Sequence, residues 1–279
     1  MNKENVQISA ELKNKLAHLR QILQSYQRVL IAYSGGVDSM FLLKVAVDTL
    51  GAKQVLAGIG VSESLARTEY DSALEMARSL GVPVEEVHPR EMTDPQYRAN
   101  QADRCYHCKM ELYHLLSDLA RQKGYDAVLC GTNADDKADY RPGLQAAKKY
   151  NIVSPLELAS LSKEDIRPLS RFLNLPTWDK PAQPCLASRL AYGVEITPQR
   201  LQQVEKAEAF LRQMGWRELR VRHHGNLARI EVPADKIEWL ASKDLREKIV
   251  AFFREIGFTY VSLDLQGFRS GSGNEVLKK

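Results

Sequence analysis

Through the first two thirds of the chain, short apolar runs alternate with longer amphipathic stretches. The run at 28–33, RVLIAY, has the length and β-branching of a buried strand, and it ends abruptly in Ser34-Gly35-Gly36-Val37-Asp38-Ser39. Beyond Asp38 the apolar positions become Met40, Leu42, Leu43, Val47 and Leu50, a helical period stopped by Gly51. The same grammar recurs downstream. QVLAGIGV at 54–61 predicts a strand, 66–80 a helix ending at Leu80-Gly81 and followed by PVEEVH, 104–123 a helix closed by Gly124, and DAVLCGT at 126–132 another strand. Strands alternating with helices predict an α/β fold with a doubly wound parallel sheet.

From about Ile196 the pattern differs. A helix at 198–214, strand-like runs at 218–223 and 227–232, helical patterns over 234–256 and a strand at 258–264 predict a smaller C-terminal α+β domain with an antiparallel sheet. The stretch from Thr177 to Gly193, with Pro181 and Pro184, is the expected connection and places the domains at 1–193 and 194–279. No internal repeat or low-complexity segment interrupts this organisation.

Composition adds bounds. The 279 residues, 44% hydrophobic and 27% charged, suit a soluble globular protein with one domain of about 150–200 residues and a smaller one. A net charge of +4 fits anionic small molecules and argues only weakly for nucleic acid. The start of the chain has no apolar signal region, and no run approaches the roughly 20 apolar residues of a membrane span, so a cytoplasmic protein is expected. Four cysteines at 105, 108, 130 and 185 then argue against a disulfide framework, and a C-x-x-C pair points to metal or redox chemistry.

Ser34 to Ser39 lie between a predicted strand and the start of a predicted helix, where open backbone N–H groups and the helix dipole attract anions. Gly35 and Gly36 allow close approach to phosphate, and Ser34 and Ser39 offer hydroxyl donors. Asp38 is a candidate ligand for Mg²⁺, which is usually held by one or two carboxylates plus substrate phosphates. The loop lacks the Gly-Lys-Ser/Thr ending of a Walker A motif, which disfavours γ-phosphate hydrolysis.

Cys105 and Cys108 share one face of the predicted helix over 104–123, on the same stripe as Leu112, Leu115 and Leu119, and a pure packing role would also satisfy that pattern. Cys185 lies in a proline-flanked loop. Should loop and helix converge, three thiolates would suit a [4Fe-4S] cluster with one iron free of protein ligand, or zinc with His107 or His114 as a fourth ligand. Cys130, inside a predicted strand, reads as core. The segment GTNADDKADYRPGL follows a strand end, so Asp135, Asp136 and Asp139 are further Mg²⁺ candidates and Arg141 a phosphate or carboxylate ligand; a solvated acidic loop would look the same. Arg220 and Arg222 alternate along one strand pattern and mark either an anion site or a basic edge.

The Ser34–Ser39 loop resembles the PP-loop of the ATP pyrophosphatases (adenine nucleotide alpha-hydrolase-like fold), which include NAD and GMP synthetases, asparagine synthetase and several sulfur-inserting enzymes. That resemblance implies cleavage of ATP between its α and β phosphates, with AMP left on the substrate. Taken in order, SGGVDS, CYHCK, GTNADD, DYRPG, PCLASR and GFRSG resemble the LarE-type ATP-dependent sulfur transferases, which build the sulfur ligands of the nickel-pincer nucleotide cofactor. The likeness runs over nearly the whole chain, and PCLASR and DYRPG at these separations are its specific part. It implies adenylation of a carboxylate of pyridinium-3,5-biscarboxylic acid mononucleotide, then replacement of AMP by sulfur. It also implies Cys185 as the sulfur-handling residue, Ser34, Gly35, Gly36, Asp38 and Ser39 as the ATP loop, Lys109, Ser188 and Arg189 in catalytic motifs near the substrate, and Arg220 and Arg222 in a phosphate-binding strand. Members with a single cysteine sacrifice it as dehydroalanine. Cys105 and Cys108 depart from that pattern and imply the subtype in which Cys105, Cys108 and Cys185 hold a [4Fe-4S] cluster, reloaded by sulfide or another sulfur donor. A homo-oligomer is implied as well. Two other readings remain open at this point: a cluster-bearing tRNA thiolase, and a non-catalytic protein that binds ATP and zinc.

Overall fold

The computed structural model describes residues 7–137, 142–216, 218–269 and 271–277. The chain forms two compact units, Met1–Ser62 with Arg67–Glu91 and Cys105–Gln183, and Glu63–Ala66 with Met92–Arg104 and Pro184–Lys279.

In the first unit, strands β1 (Val29–Ala32), β2 (Val55–Gly60), β3 (Val84–Val87) and β4 (Ala127–Cys130) form a parallel sheet in the order β3-β2-β1-β4. Val29, Leu30 and Ile31 are fully buried, as strands covered by helices require. Flanking helices are α1 (Ala10–Gln24), α2 (Val37–Leu50), α3 (Arg67–Ser79), α4 (Arg104–Lys123), α5 (Gly143–Lys149) and α6 (Lys163–Phe172). Leu30, Leu56, Val128 and Cys130 pack with Tyr113, Leu116 and Ala120 of α4 and with Ala146 and Ala147 of α5. Gly58 and Gly60 in β2 are dictated by this packing, since a Cβ there would lie 2.6 Å from Leu116 and 2.7 Å from Leu112.

Helix α1 escapes the sequence pattern because lysines, glutamines and a histidine dilute its buried stripe of Leu16, Leu19 and Leu23; Ser9 caps it by accepting from the Leu12 amide at 3.2 Å. Helix α6 begins with a capping box in which Ser162 and Asp165 each accept from the other's backbone.

The second unit contains β5 (Arg220–His224), β6 (Leu227–Glu231) and β7 (Tyr260–Leu263), with α7 (Pro198–Gln213) and α8 (Lys243–Glu255). Its core joins Leu211, Trp216, Leu219, Val221, Ile230, Ile249 and Phe253. The expected antiparallel sheet is corrected to a mixed one: β5 and β6 are antiparallel, whereas β7 runs parallel to β6. The reason is connectivity, because β6 and β7 are joined through α8 as a crossover rather than by a hairpin. No helix among the described residues is long and apolar enough to cross a membrane.

Candidate functional site

The phosphate loop joins β1 directly to α2. Gly35 adopts φ +68°, and a Cβ on it would lie 2.6 Å from the Ala73 Cβ of α3, so glycine is required both by conformation and by space. The Ser34 and Ser39 hydroxyls are 3.1 Å apart, and Ser39 also donates to the Gly36 carbonyl at 3.2 Å. The first intrahelical bond runs from the Met40 amide to Gly36 O. The amides of Val37, Asp38 and Ser39 therefore have no helical acceptor and are available to an anion. Gly131, just after β4, comes so near that a Cβ on it would lie 2.9 Å from the Ser39 amide nitrogen.

Two ammonium groups that sequence reasoning missed reach this loop. Lys163 Nζ, at the start of α6, donates to both Asp38 carboxylate oxygens at 2.7 and 2.6 Å. Lys180 Nζ lies 2.7 Å from Glu69 Oε2 and 3.5 Å from the Gly35 carbonyl oxygen. Asp135 accepts from the Lys163 amide at 2.8 Å and so helps to start α6, while buried Asp136 accepts from the Asn133 amide at 3.1 Å. Asp139 and Arg141 lie outside the described residues.

Cys105 and Cys108 occupy the first turns of α4, exposed and half-buried respectively, and all four cysteines are thiols rather than disulfides. Lys109 follows them, its ammonium 5.3 Å from the centre of the Tyr113 ring. Tyr113, then Cys108, Cys130 and Cys105, raise the affinity of this lysine for its proton against the effect of burial. Burial pushes the Tyr113 phenol up to about 12, against the pull of Lys109 and with a hydrogen bond to Cys130. Cys130 is buried as expected, but in polar company: its sulfur also lies 3.3 Å from Thr132 Oγ1 and 3.4 Å from Ser154 Oγ. Among the described residues, no group of three or more His, Cys, Asp or Glu side chains is gathered to hold a metal ion.

In the second unit, exposed Cys185 precedes a single 3-10 turn, Leu186–Arg189. The Cys185 carbonyl accepts from the Ser188 hydroxyl at 2.7 Å and from Arg189 Nη1 at 3.1 Å, and Arg189 also donates to the Pro184 carbonyl. Arg189 is itself fixed by buried Glu208, at 3.0 and 3.3 Å. Burial alone would raise the Glu208 carboxyl; Arg189 and then Arg212 and Arg220 hold it below the usual range. Arg222 donates to Glu231 at 3.1 and 3.0 Å, to the Ser188 carbonyl at 3.1 Å and to Ser272 Oγ at 2.9 Å. Arg220, on the same face of β5, lies over the Phe268 ring, and burial followed by the neighbouring Arg189 lowers it to about 10. Cys185, Ser188, Arg189 and Arg222 thus form one hydrogen-bonded neighbourhood, with Arg220 beside it.

No family model matches the chain. An uncharacterized protein of Synechocystis sp. is 48% identical over 268 residues, 96% of this chain and 100% of the relative. The pyridinium-3,5-bisthiocarboxylic acid mononucleotide synthase of Lactiplantibacillus plantarum is 39% identical over 271 residues, 97% of each chain. This chain belongs to the LarE family. A more distant relative of this chain, the tRNA-specific 2-thiouridylase of Desulforamulus reducens, shares 26% identity over 194 residues, 56% of this chain and 53% of its own. Membership makes the chain an enzyme of the PP-loop sulfur-transfer group, in keeping with its parallel sheet and phosphate loop.

Proposed function

We propose that this enzyme uses ATP to adenylate a carboxylate of pyridinium-3,5-biscarboxylic acid mononucleotide and then exchanges AMP for sulfur, giving a thiocarboxylate. The observation that carries the reading is the β1–SGGVDS–α2 loop, with its open first-turn amides and paired serine hydroxyls, in a chain matched from end to end by a synthase of the bisthiocarboxylate product. The substrate carboxylate oxygen attacks the α-phosphorus and pyrophosphate departs. Sulfur then attacks the carbonyl carbon, and AMP leaves with the electron pair. Carboxylate oxygen is a poor leaving group, whereas a phosphate monoester with a second pKa of about 6 is a good one. Asp38 is the proposed Mg²⁺ carboxylate, with Asp135 and Arg141 proposed for nucleotide binding; in the second unit Arg220 and Arg222 are proposed as a phosphate-binding strand.

The thiols of Cys105 and Cys108 suit a [4Fe-4S] cluster: they are three residues apart at a helix start, and both act on the ammonium of Lys109, a cation suited to an anionic thiolate group. Cys185 is the proposed third ligand. Such a cluster would supply a sulfide-bearing iron, which lets the enzyme turn over without consuming Cys185. Arg189 and Ser188 hold the Cys185 backbone, and Lys109 is the cation proposed for the sulfur-bearing side. The test is anaerobic purification with iron and sulfide analysis on wild type and Cys105→Ala, followed by assays of AMP, pyrophosphate and thiocarboxylate. About four irons per chain, lost in the variant, and thiocarboxylate in excess of enzyme are expected. Zinc alone, or no thiocarboxylate, would overturn the reading.

A second reading, tRNA thiolation, is favoured by the likeness to the tRNA-specific 2-thiouridylase. It requires tRNA binding that falls steeply with salt.

A further inference from the structure

The Ser34–Ser39 loop contains no lysine, so an ammonium for the pyrophosphate leaving group, beside the Mg²⁺ proposed above, would come from elsewhere in the chain. Lys163 is held by both oxygens of Asp38. Lys180 is differently placed. Its ammonium touches the loop backbone at Gly35 O while resting on Glu69. Its main chain is fixed, because Arg167 of α6 donates to the Trp178 carbonyl at 2.9 Å and to the Lys180 carbonyl at 3.0 Å. Gly35 is fixed too, pressed against Ala73, which lies one turn beyond Glu69 on α3. Fixed backbones on both sides leave the side-chain torsions of Lys180 as the free element. The Lys180 and Glu69 side chains are 19% and 25% exposed, so an incoming polyanion has access to the pair.

We propose that Lys180 is a catalytic residue of the ATP-cleaving step, its ammonium passing from Glu69 to the pyrophosphate oxygens beside Gly35 when nucleotide binds. The proposal rests on the adenylation reading above. In that step a bond forms between the substrate carboxylate oxygen and the α-phosphorus, and the bond from that phosphorus to the bridging oxygen breaks. Its electron pair leaves on pyrophosphate. Lys180 transfers no proton; it stabilises the charge that accumulates on the leaving group. A pyrophosphate carries more negative charge than the single carboxylate of Glu69 and displaces it at equal distance. Glu69 is then a positioning residue that keeps the ammonium at the loop.

The test compares wild type, Lys180→Met, Lys180→Arg and Glu69→Gln. Calorimetry measures the binding of magnesium pyrophosphate and of AMP, and ATP–pyrophosphate exchange is followed with the pyridinium dicarboxylate nucleotide. Lys180→Met is expected to lose on the order of 10²-fold in exchange rate and to bind pyrophosphate at least about tenfold more weakly, one lost charge contact being worth about 1.4 kcal/mol or more. AMP, which lacks the leaving group, should bind Lys180→Met as it binds wild type. Lys180→Arg should recover much of the pyrophosphate affinity, and Glu69→Gln, which removes the carboxylate that pyrophosphate has to displace, should bind pyrophosphate more tightly than wild type. Equal pyrophosphate affinity in wild type and Lys180→Met, or parallel loss of AMP and pyrophosphate binding, overturns the proposal. Exchange absent from wild type that still binds pyrophosphate through Lys180 sinks the adenylation of this substrate and leaves the lysine's phosphate role standing.

Discussion

Asp38 and Lys163, 125 residues apart in the chain, meet at 2.7 and 2.6 Å through both carboxylate oxygens. Their side chains are partly exposed, so the pair contributes no more than about 1 kcal/mol to stability. Asp38→Asn should therefore shift the melting temperature little. It should lower AMP formation on the order of 10²-fold and weaken its dependence on magnesium, as a titration of the rate with Mg²⁺ would read.

Arg189 and Glu208 form a different kind of pair, with side chains 3% and 1% exposed. Arg189→Met leaves the buried Glu208 carboxylate with Arg212, at 2.8 Å, as its remaining hydrogen-bonded cation and should cost about 1.5–3 kcal/mol in urea unfolding at neutral pH. Because Arg189 also holds the carbonyls of Pro184 and Cys185, alkylation of Cys185 by iodoacetamide should change rate in the variant. Glu208 is held below its ordinary value, so its contribution is complete above the unfolded pKa near 4.5 and disappears as pH falls through the lower folded value. The acid limb of wild-type stability should be steeper than that of Glu208→Gln.

His223 has the opposite history. Burial, then Arg200 and His224, depress it to about 4 from 6.5, and its Nε2 lies 3.0 Å from Gln203 Oε1. Below pH 6.5 the unfolded chain takes up a proton that the folded protein refuses, so stability falls between about 6.5 and about 4. The loss approaches about 3 kcal/mol at the lower end. Melting curves of His223→Gln should be flatter than wild type across that window.

Cys185 and Cys105 should separate the two halves of the chemistry. Cys185→Ser is expected to keep ATP–pyrophosphate exchange, because the thiol takes no part in the bond changes at the α-phosphorus, and to form no thiocarboxylate. Cys105→Ala should retain exchange and stop at one sulfur per chain or fewer, as counted by mass spectrometry of the product. Loss of exchange in both variants would place these cysteines in the ATP-cleaving step instead.

The strand–loop–helix around Ser34 was legible because each part has its own local code: a β-branched run, two glycines, then a helical period. Helix α4 was equally clear from its apolar stripe and Gly124. The parallel pairing of β7 was not, since a strand's own sequence does not state which edge it joins or in what direction. A capping signature, Ser162 with Asp165, was present and would have announced α6 and with it Lys163. Lys180 had no such sign. Its partners Glu69 and Gly35 lie 111 and 145 residues away, and no periodicity encodes a meeting at that separation. Arg222 was readable as a cation on β5, but not as one whose guanidinium is already shared among Glu231, Ser188 and Ser272.

The approach of Gly131 to the Ser39 amide, together with that of Gly35 to Ala73, leaves no slack around the phosphate loop. Loop, sheet end and α3 are packed closely enough there to resist local backbone movement, as in a packed interior. Nucleotide entry would then fall to movable side chains at the loop, the long Lys180 among them, and rotamer exchange would contribute to the pace of admission.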